Sequence, residues 1–167
     1  MTAPNNVEAE LFVINADGTG LRPLTYTVPW GSATVGELRN ATGHRVSSFE
    51  APGGPAGVAI AGAKVAVGTQ DRGGKGLLTV FAATTGKRLR SVSLAGPAPV
   101  VVGANARWVV FRTGARTIRA FDLRTSTSSI LVVARAVPIG LSVSGRRVAW
   151  AENLGSQAQV RALLLSH

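Results

Sequence analysis

The chain has 167 residues, 46% of them hydrophobic and 16% charged, a composition that predicts one folded domain and excludes a disordered chain. With no Cys and only two His, it excludes disulfides and thiolate metal sites and argues against a His-based metal centre. The net charge of +10 is uneven, with a balance of −2 over residues 1–53 and +12 over residues 54–167, which makes acidic molecules a candidate class of partner.

Residues 1–10 are predicted to be a flexible leader. They lack the basic and apolar regions of a signal peptide, so a cytoplasmic protein is expected. If a signal peptide has been removed, the expected location is periplasmic or extracellular instead. No segment approaches the run of about 18 apolar residues that a membrane helix needs, and a membrane partner is not expected.

Two strands joined by a turn are predicted at the start of the folded part. Leu11–Asn15 and Leu21–Thr27 are rich in apolar and β-branched residues, and Ala16–Gly20 between them holds the Asp and Gly that favour tight turns. The segment ELFVINADGTGLRPLT, residues 10–25, resembles the TolB-type propeller repeat. This resemblance implies that the hairpin forms the outer half of a propeller blade.

A second kind of hairpin occurs three times along the chain. Its first copy joins Val35–Asn40 to Arg45–Glu50 across a turn that contains Gly43. The later copies are VFAATTGKRL, residues 80–89, and AFDLRTSTSSIL, residues 120–131. This hairpin resembles the outer strands of YVTN-type and quinoprotein-type repeats.

Three short turns between apolar runs reveal a longer repeat. They are Gly62-Ala63-Lys64-Val65, Asn105-Ala106-Arg107-Trp108 and Gly145-Arg146-Arg147-Val148, whose first residues lie 43 and 40 positions apart (105 − 62 and 145 − 105). A period near forty with strand-turn-strand content is typical of a β-propeller blade. The segment GPAGVAIAGAKVAVG, residues 54–68, is similar to the inner hairpin of YVTN-type repeats, and inner strands are predicted at 57–61, 99–103 and 139–143.

These repeats predict an all-β fold, a β-propeller of about four four-stranded blades over residues 11–167. The expected blade ranges are about 11–53, 54–96, 97–137 and 138–167, with fifteen strands in all and only three in the last blade. A small ring that closes within one chain is one alternative. The other is an incomplete ring that oligomerisation completes, because an open array exposes edge strands that favour association.

The basic residues of the last three blades are predicted to gather on one face of the disc. In a four-stranded antiparallel blade, the first-to-second and third-to-fourth turns lie at the same end of the sheet. No acid is expected among these cations, so the face can attract acidic proteins or phosphates. The candidate basic binding face consists of Lys64, Lys87, Arg88, Arg107, Arg124, Arg146 and Arg147.

Asp122 on the third strand of its blade and the Trp residues of the second strands are predicted to have structural roles. Asp122 is predicted to stabilise a turn or to pair with Arg124. Trp108 and Trp150 are predicted to pack between blades, because strand alternation places them on one face. Their expected neighbours on that face are Val65, Val67, Val110 and Val148.

The favoured function is a non-enzymatic scaffold that binds a protein partner through one face and also assembles into a larger ring. The first alternative is a binder of polyanions or nucleic acid, although aromatic residues for base stacking are scarce at these turns. The second is a propeller hydrolase or lactonase-like enzyme. It would need Asp, Glu or His near the axis, and the predicted inner strands contain none. No catalytic residue, metal or cofactor is therefore expected.

Overall fold

The computed structural model of the chain describes residues 10–13, 22–25, 33–40 and 42–166. Within these residues the chain forms fifteen β-strands and no helix. The strands are β1 (Glu10–Val13), β2 (Arg22–Thr25), β3 (Ala33–Arg39), β4 (Arg45–Pro52), β5 (Gly54–Ala61), β6 (Lys64–Gln70), β7 (Gly76–Ala82), β8 (Arg88–Ser93), β9 (Val100–Ala104), β10 (Trp108–Thr113), β11 (Thr117–Asp122), β12 (Ser128–Val133), β13 (Pro138–Ser144), β14 (Arg147–Leu154) and β15 (Gln157–Leu164).

Three antiparallel sheets follow one another from residue 54 onward. β5–β8 and β9–β12 are four-stranded, β13–β15 is three-stranded within the described residues, and each sheet keeps its strands in chain order. We call them blade two, blade three and blade four, because small meandering sheets of this kind build propeller blades. The predicted all-β class is therefore confirmed. In the described part of the chain, no helix has the length and apolarity needed to cross a membrane.

The N-terminal strands do not form one four-stranded sheet in the described residues. β1 pairs with β2 and β3 pairs with β4, as two separate hairpins. Pro23 lies in β2, where it has no N–H to donate to a further strand, and this suits an edge position. The predicted leader up to residue 9 and the predicted turn at 16–20 lie outside the described residues.

Three apolar layers hold the stack together. One lies between the β3–β4 hairpin and blade two, one between blades two and three, and one between blades three and four. Sheet faces that pack on each other exclude water from both, which is the main source of stability in such a stack. In chain order, the buried residues of these layers are Phe49, Ala51, Val65, Val67, Phe81 and Ala83; Ala66, Leu78, Leu94, Val109, Phe111 and Phe121; and Val110, Ile118, Ala120, Ala134, Val148, Trp150 and Leu165.

One backbone hydrogen bond repeats in every blade and fixes which residues are equivalent. The amide after the third strand donates to the carbonyl just before the second strand in all three blades. The pairs are Ala83 to Ala63, Leu123 to Arg107 and Leu165 to Arg146, at 2.8 Å each. The residues that follow these carbonyls are therefore equivalent, namely Lys64, Trp108 and Arg147.

The turns aligned from the sequence made Trp108 equivalent to Val65. The hydrogen bonds show that Trp108 is equivalent to Lys64, so the alignment of blade three shifts by one residue. The turn between β9 and β10 has three residues, whereas the corresponding turns of blades two and four have two. Because strand side chains alternate, the extra residue changes which face each side chain occupies. Val65 and Val67 face the β3–β4 hairpin, but Trp108 and Val110 face blade four. The prediction that all of these residues share one face was wrong, although the packing of Trp108 and Trp150 between blades is confirmed.

A buried carboxylate lies beside the layer between blades three and four. Glu152 is 0% exposed, and its Oε1 accepts a hydrogen bond of 2.5 Å from Trp150 Nε1. Its Oε2 accepts the Ala136 N–H at 3.4 Å and lies 3.6 Å from Arg161 Nε. The hydrogen bond from Trp150 lowers the pKa of Glu152, and the Ala136 amide and the Arg161 charge add to this effect against the opposing effect of burial.

Replacing Glu152 by Gln is expected to lower the melting temperature at about pH 7, because the charged acceptor is lost. Since folding lowers the pKa of Glu152, its stabilising contribution is present above the unfolded-state pKa of about 4.3 and is lost as the pH falls through the folded-state pKa. The difference in melting temperature between the two proteins should therefore narrow at about pH 3. Thermal unfolding followed by circular dichroism measures it, and a difference independent of pH would contradict this role.

Candidate functional site

The predicted basic residues lie at one end of blades two, three and four. All of them lie within or next to turns that join first to second or third to fourth strands. Hydrogen bonds from a side chain of one blade to the backbone of the next also join neighbouring blades here, because Asn105 Nδ2 donates to the Gly145 carbonyl at 2.5 Å and Arg90 donates to the Leu123 carbonyl at 3.4 Å. We call this end the basic face. It consists of Lys64, Lys87, Arg88, Arg107, Arg124, Arg146 and Arg147.

Most of the cations on the basic face are open to solvent. Lys64 and Arg107 are half-buried. The five exposed side chains are Lys87, Arg88, Arg124, Arg146 and Arg147. The structure thus brings together all seven predicted residues, and their use as a binding surface stays a prediction.

The structure places an acid on the basic face, which corrects the expectation that none is there. The side chain of Asp122 is at the end of β11 and only 3% exposed. Its Oδ2 accepts hydrogen bonds from Arg107 Nε at 3.0 Å and Arg107 Nη2 at 2.9 Å. Its Oδ1 accepts the backbone N–H groups of Arg124 at 2.7 Å and Thr125 at 3.3 Å. The predicted turn-stabilising role is confirmed, and the ion pair is with Arg107 rather than Arg124.

The charge state of Asp122 follows from these contacts. Burial raises the pKa of its carboxyl, but the hydrogen bonds from Arg107 and from the Arg124 and Thr125 amides outweigh burial and lower the pKa. Asp122 is therefore ionised at neutral pH and holds Arg107 in place. The buried acid therefore cancels one cation of the basic face.

Arg107 is tightly held on the basic face. Its guanidinium carbon lies 4.6 Å from the centroid of the Trp108 ring, which is a cation–π contact. Asn105 Oδ1 accepts the backbone N–H groups of Arg107 at 2.9 Å and Trp108 at 2.7 Å. Asn105 therefore orders the long turn of blade three, and its bond to Gly145 ties that turn to blade four.

A shallow cavity of about 270 Å³ opens on the basic face between blades three and four. Arg146 borders it and is itself anchored, because its Nε donates to the Leu165 carbonyl at 2.9 Å. The cavity offers an apolar floor next to two positioned guanidinium groups, which suits a side chain with an apolar stem and an anionic end. It is lined by Asn105, Ala106, Arg107, Trp108, Gly145, Arg146 and Ser166.

The sequence interpretation missed Arg90, which joins blade two to this face of blade three. Its Nη1 donates to the Leu123 carbonyl at 3.4 Å and to the Ser126 hydroxyl. Arg90 pairs with Val80 and Arg88 pairs with Phe81 across a register shift, so the two arginine side chains lie on opposite sides of the sheet. The sequence spacing gave no signal for Arg90, because its partners lie 33 and 36 residues further along the chain.

The residues that the structure describes give little support to a catalytic site built on carboxylates or to a metal site. Among those residues, no group of three or more His, Cys, Asp or Glu side chains is placed to hold a metal ion. Asp122 and Glu152 are both buried and hydrogen-bonded within blades three and four. Both carboxylates therefore have structural partners.

Comparisons with known proteins identify the fold. No protein-family model and no curated protein matches the sequence. The chain is similar to the computationally designed Ika4 protein, with a TM-score of 0.64 and 12% identity over 99% of this chain and 96% of that chain. It is similar to the Dos1 propeller, with a TM-score of 0.55 and 17% identity over 92% of this chain and 48% of that one.

A third similar structure is a complex of two proteins. BBS1N, in a crystal structure with ARL6DN, matches with a TM-score of 0.60 and 16% identity over 98% of this chain and 56% of that chain. The chain thus spans about half the length of the Dos1 and BBS1N chains. Its fold is an all-β propeller that is small or incomplete.

Proposed function

We propose that this chain is a non-enzymatic propeller scaffold that binds an acidic segment of a protein partner through the basic face. The observation that carries the proposal is the clustering of seven cations at one end of three successive blades, five of them exposed, with the one acid buried beneath them. Such a surface attracts negative charge and raises the rate of encounter with an acidic partner.

Two arginine side chains of the basic face have fixed positions, and this favours binding of a specific partner over nonspecific electrostatic attraction. Arg107 is held by Asp122 and Trp108, and Arg146 is anchored to the Leu165 carbonyl. Guanidinium groups that are already in place lose little conformational freedom when they bind a carboxylate. The cavity between them accepts one acidic side chain, and the exposed Lys87, Arg88 and Arg124 extend the surface. The similar BBS1N structure, a complex with ARL6DN, supports protein binding as a use of this fold.

Binding of nucleic acid or another polyanion through the same face is the alternative that the basic charge allows. Base stacking needs exposed aromatic rings. Among the described residues of the basic face and its cavity, Trp108 is the one aromatic residue, and it is half-buried with Arg107 over its ring. The scarcity of exposed aromatic rings favours a protein partner.

Enzymatic activity is not part of the proposal. A tightly bound metal in the purified protein would argue for such activity.

The proposal includes two further points about the chain. Its repeats belong to the TolB-like and YVTN-type group, since the YVTN-like segment at residues 54–68 coincides with the hairpin of β5 and β6 and the TolB-like segment at residues 10–25 with that of β1 and β2. It also assembles into a larger ring, because the chain spans about half of the Dos1 and BBS1N chains and because β15 pairs only with β14 among the described strands.

Charge reversal on the basic face is expected to weaken binding of a fluorescein-labelled oligoglutamate peptide at least tenfold, or about 1.4 kcal/mol. The variant is Lys87→Glu/Arg88→Glu/Arg124→Glu, whose side chains are all exposed and leave the pair of Arg107 and Asp122 intact. Fluorescence anisotropy at about 0.15 M salt measures the effect, because at that salt charges more than about 8 Å away are largely screened.

The matched control reverses three exposed cations at the opposite end of the blades. Lys75→Glu/Arg116→Glu/Arg135→Glu changes the net charge equally and should bind the peptide as the parent protein does. Equal losses in both variants would show that net charge alone attracts the peptide and would contradict a site. Tighter binding of single-stranded DNA than of the peptide by the parent protein would favour the nucleic-acid alternative.

A further inference from the structure

Equivalent residues of the three blades differ sharply in exposure. Leu78, Ile118 and Val160 occupy the same position of the third strand, opposite Gly68, Arg112 and Ala151 of the second strands. Leu78 and Ile118 are 0% exposed, because the next blade covers each of them, whereas Val160 is 80% exposed. A position that two blades bury completely is therefore open in blade four.

The whole face around Val160 shares this difference. Ala162 is exposed, although its equivalents Val80 and Ala120 are 2% and 0% exposed. Leu164, near the end of the same strand, is 68% exposed. Cross-strand pairing adds Ala149 and Ala151 of β14 to the same side of the sheet. We call Ala149, Ala151, Val160, Ala162 and Leu164 the end face of blade four, and apolar residues that lie together on an exposed sheet face mark a candidate interaction site.

The opposite end of the stack also presents apolar residues to solvent. In the β3–β4 hairpin, Phe49 points into the layer with blade two. Val35 and Val46 are on the other side of the hairpin and are 48% and 43% exposed. The stack therefore has two different ends, because the end face of blade four is apolar whereas the outer side of the β3–β4 hairpin is mixed and also carries Ser48 and Glu50.

We infer that the end face of blade four packs against the N-terminal end of a second copy of this chain, so that two copies close one propeller through two identical head-to-tail contacts. The contact continues the interface that already repeats three times within the chain, with the next blade supplied by the partner copy. A head-to-tail contact closes into a ring when its rotation returns to the start. A chain that spans 48% of the Dos1 propeller chain suits closure by two copies.

Charge favours the head-to-tail arrangement over contact between two copies of blade four. On the outer side of the β3–β4 hairpin, the exposed Glu50 pairs directly across from Val35, whereas residues 138–167 of blade four hold three Arg against one Glu, a balance of +2. Head-to-tail packing brings this carboxylate to the basic blade four of the other copy, whereas tail-to-tail packing joins two basic ends. This inference rests on the proposed self-assembly and adds the surface and the orientation.

Light scattering on a sizing column tests the inference, with a mass of about twice 17.2 kDa expected for the parent chain. Val160→Glu/Leu164→Glu should shift it to the monomer mass and raise the dissociation constant on the order of a hundredfold or more, because an unpaired carboxylate is costly to bury. The matched control is Ile130→Glu/Val133→Glu on β12, whose side chains are 57% and 58% exposed. It should remain a dimer, and thermal unfolding of both variants checks that each is folded.

The possible outcomes distinguish failure of the end face of blade four as the contact surface from failure of self-assembly itself. A parent chain that is monomeric at micromolar concentration overturns both. A dimer that persists in Val160→Glu/Leu164→Glu overturns the end face of blade four as the contact and leaves the proposed self-assembly standing. A mass above that of the dimer overturns closure by two copies. Peptide binding to the basic face is measured separately, so its failure does not bear on this result.

Discussion

Replacing Phe111 by Ala is expected to lower the free energy of unfolding by about 4 kcal/mol, the middle of the range for removing a buried Phe. Phe111 is 0% exposed and lies in the layer that joins blade two to blade three, with Leu78 and Phe121. The cavity left behind opens between two rigid sheets that cannot collapse onto it without moving a whole blade. Urea unfolding followed by circular dichroism measures the loss as a shift of the midpoint.

The control for Phe111→Ala is Ile130→Ala, on the outer strand of blade three. Ile130 is 57% exposed, so the loss should stay within about 0.5 kcal/mol. A loss of the same size at both positions would show that the layer between blades two and three is not a continuous core. A loss at Phe111 accompanied by a smaller urea dependence would show that the blades unfold separately.

Much of the fold could be predicted because the repeat leaves several independent signals in the sequence. Turns recur at nearly constant spacing between apolar runs, and these turns fix the strand bounds of blades two, three and four within a few residues. The cations of the basic face could be predicted for the same reason. Their position depends on which turn they occupy, and antiparallel pairing then fixes the end of the sheet.

The alignment of blade three shows where the sequence misleads. Asn105 begins a turn with one more residue than its counterparts, and its side chain bonds the amides of Arg107 and Trp108 to make that turn regular. The one-residue shift exchanges the two faces of β10, so Trp108 faces blade four and is equivalent to Lys64 rather than Val65. Hydrophobic residues occupy both faces of these inner strands, so apolar character alone does not reveal the shift.

Two features depend on tertiary structure. One is the set of contacts on the basic face, and the other is the division of the predicted first blade, residues 11–53, into two separate hairpins among the described strands. The pairing of Asp122 with Arg107 joins residues 15 apart in the chain, and nothing in their spacing distinguishes Arg107 from the nearer Arg124. The separate hairpins of β1–β2 and β3–β4 likewise follow from which edges pair rather than from strand propensity. A repeat pattern predicts that strands exist, but the partner of each charged side chain is decided by packing.

Replacing Asp122 by Ala is expected to lower the free energy of unfolding by about 3 kcal/mol, the lower end of the cost of breaking a buried ion pair, because Arg107 is 33% exposed. The change leaves Arg107 without its carboxylate and removes the acceptor of the Arg124 and Thr125 amides. Asp122→Asn retains an oxygen for those amides, so a smaller loss of about 1 kcal/mol is expected. Urea unfolding of the three proteins measures both losses.

Asp71→Ala is the matched control, and acid unfolding supplies a second test of the Asp122 pair. Asp71 bonds the amides of Gly73 and Lys75 in a similar turn, so its loss should cost only about 1 kcal/mol. Since folding lowers the pKa of Asp122, its contribution is present above the unfolded-state pKa of about 3.9 and disappears as the pH falls through the folded-state pKa. Asp122→Asn should therefore lose less stability than the parent protein below about pH 4. If Asp122→Ala costs no more than Asp71→Ala, the ion pair adds nothing to the turn, and the fixed position of Arg107 needs another explanation.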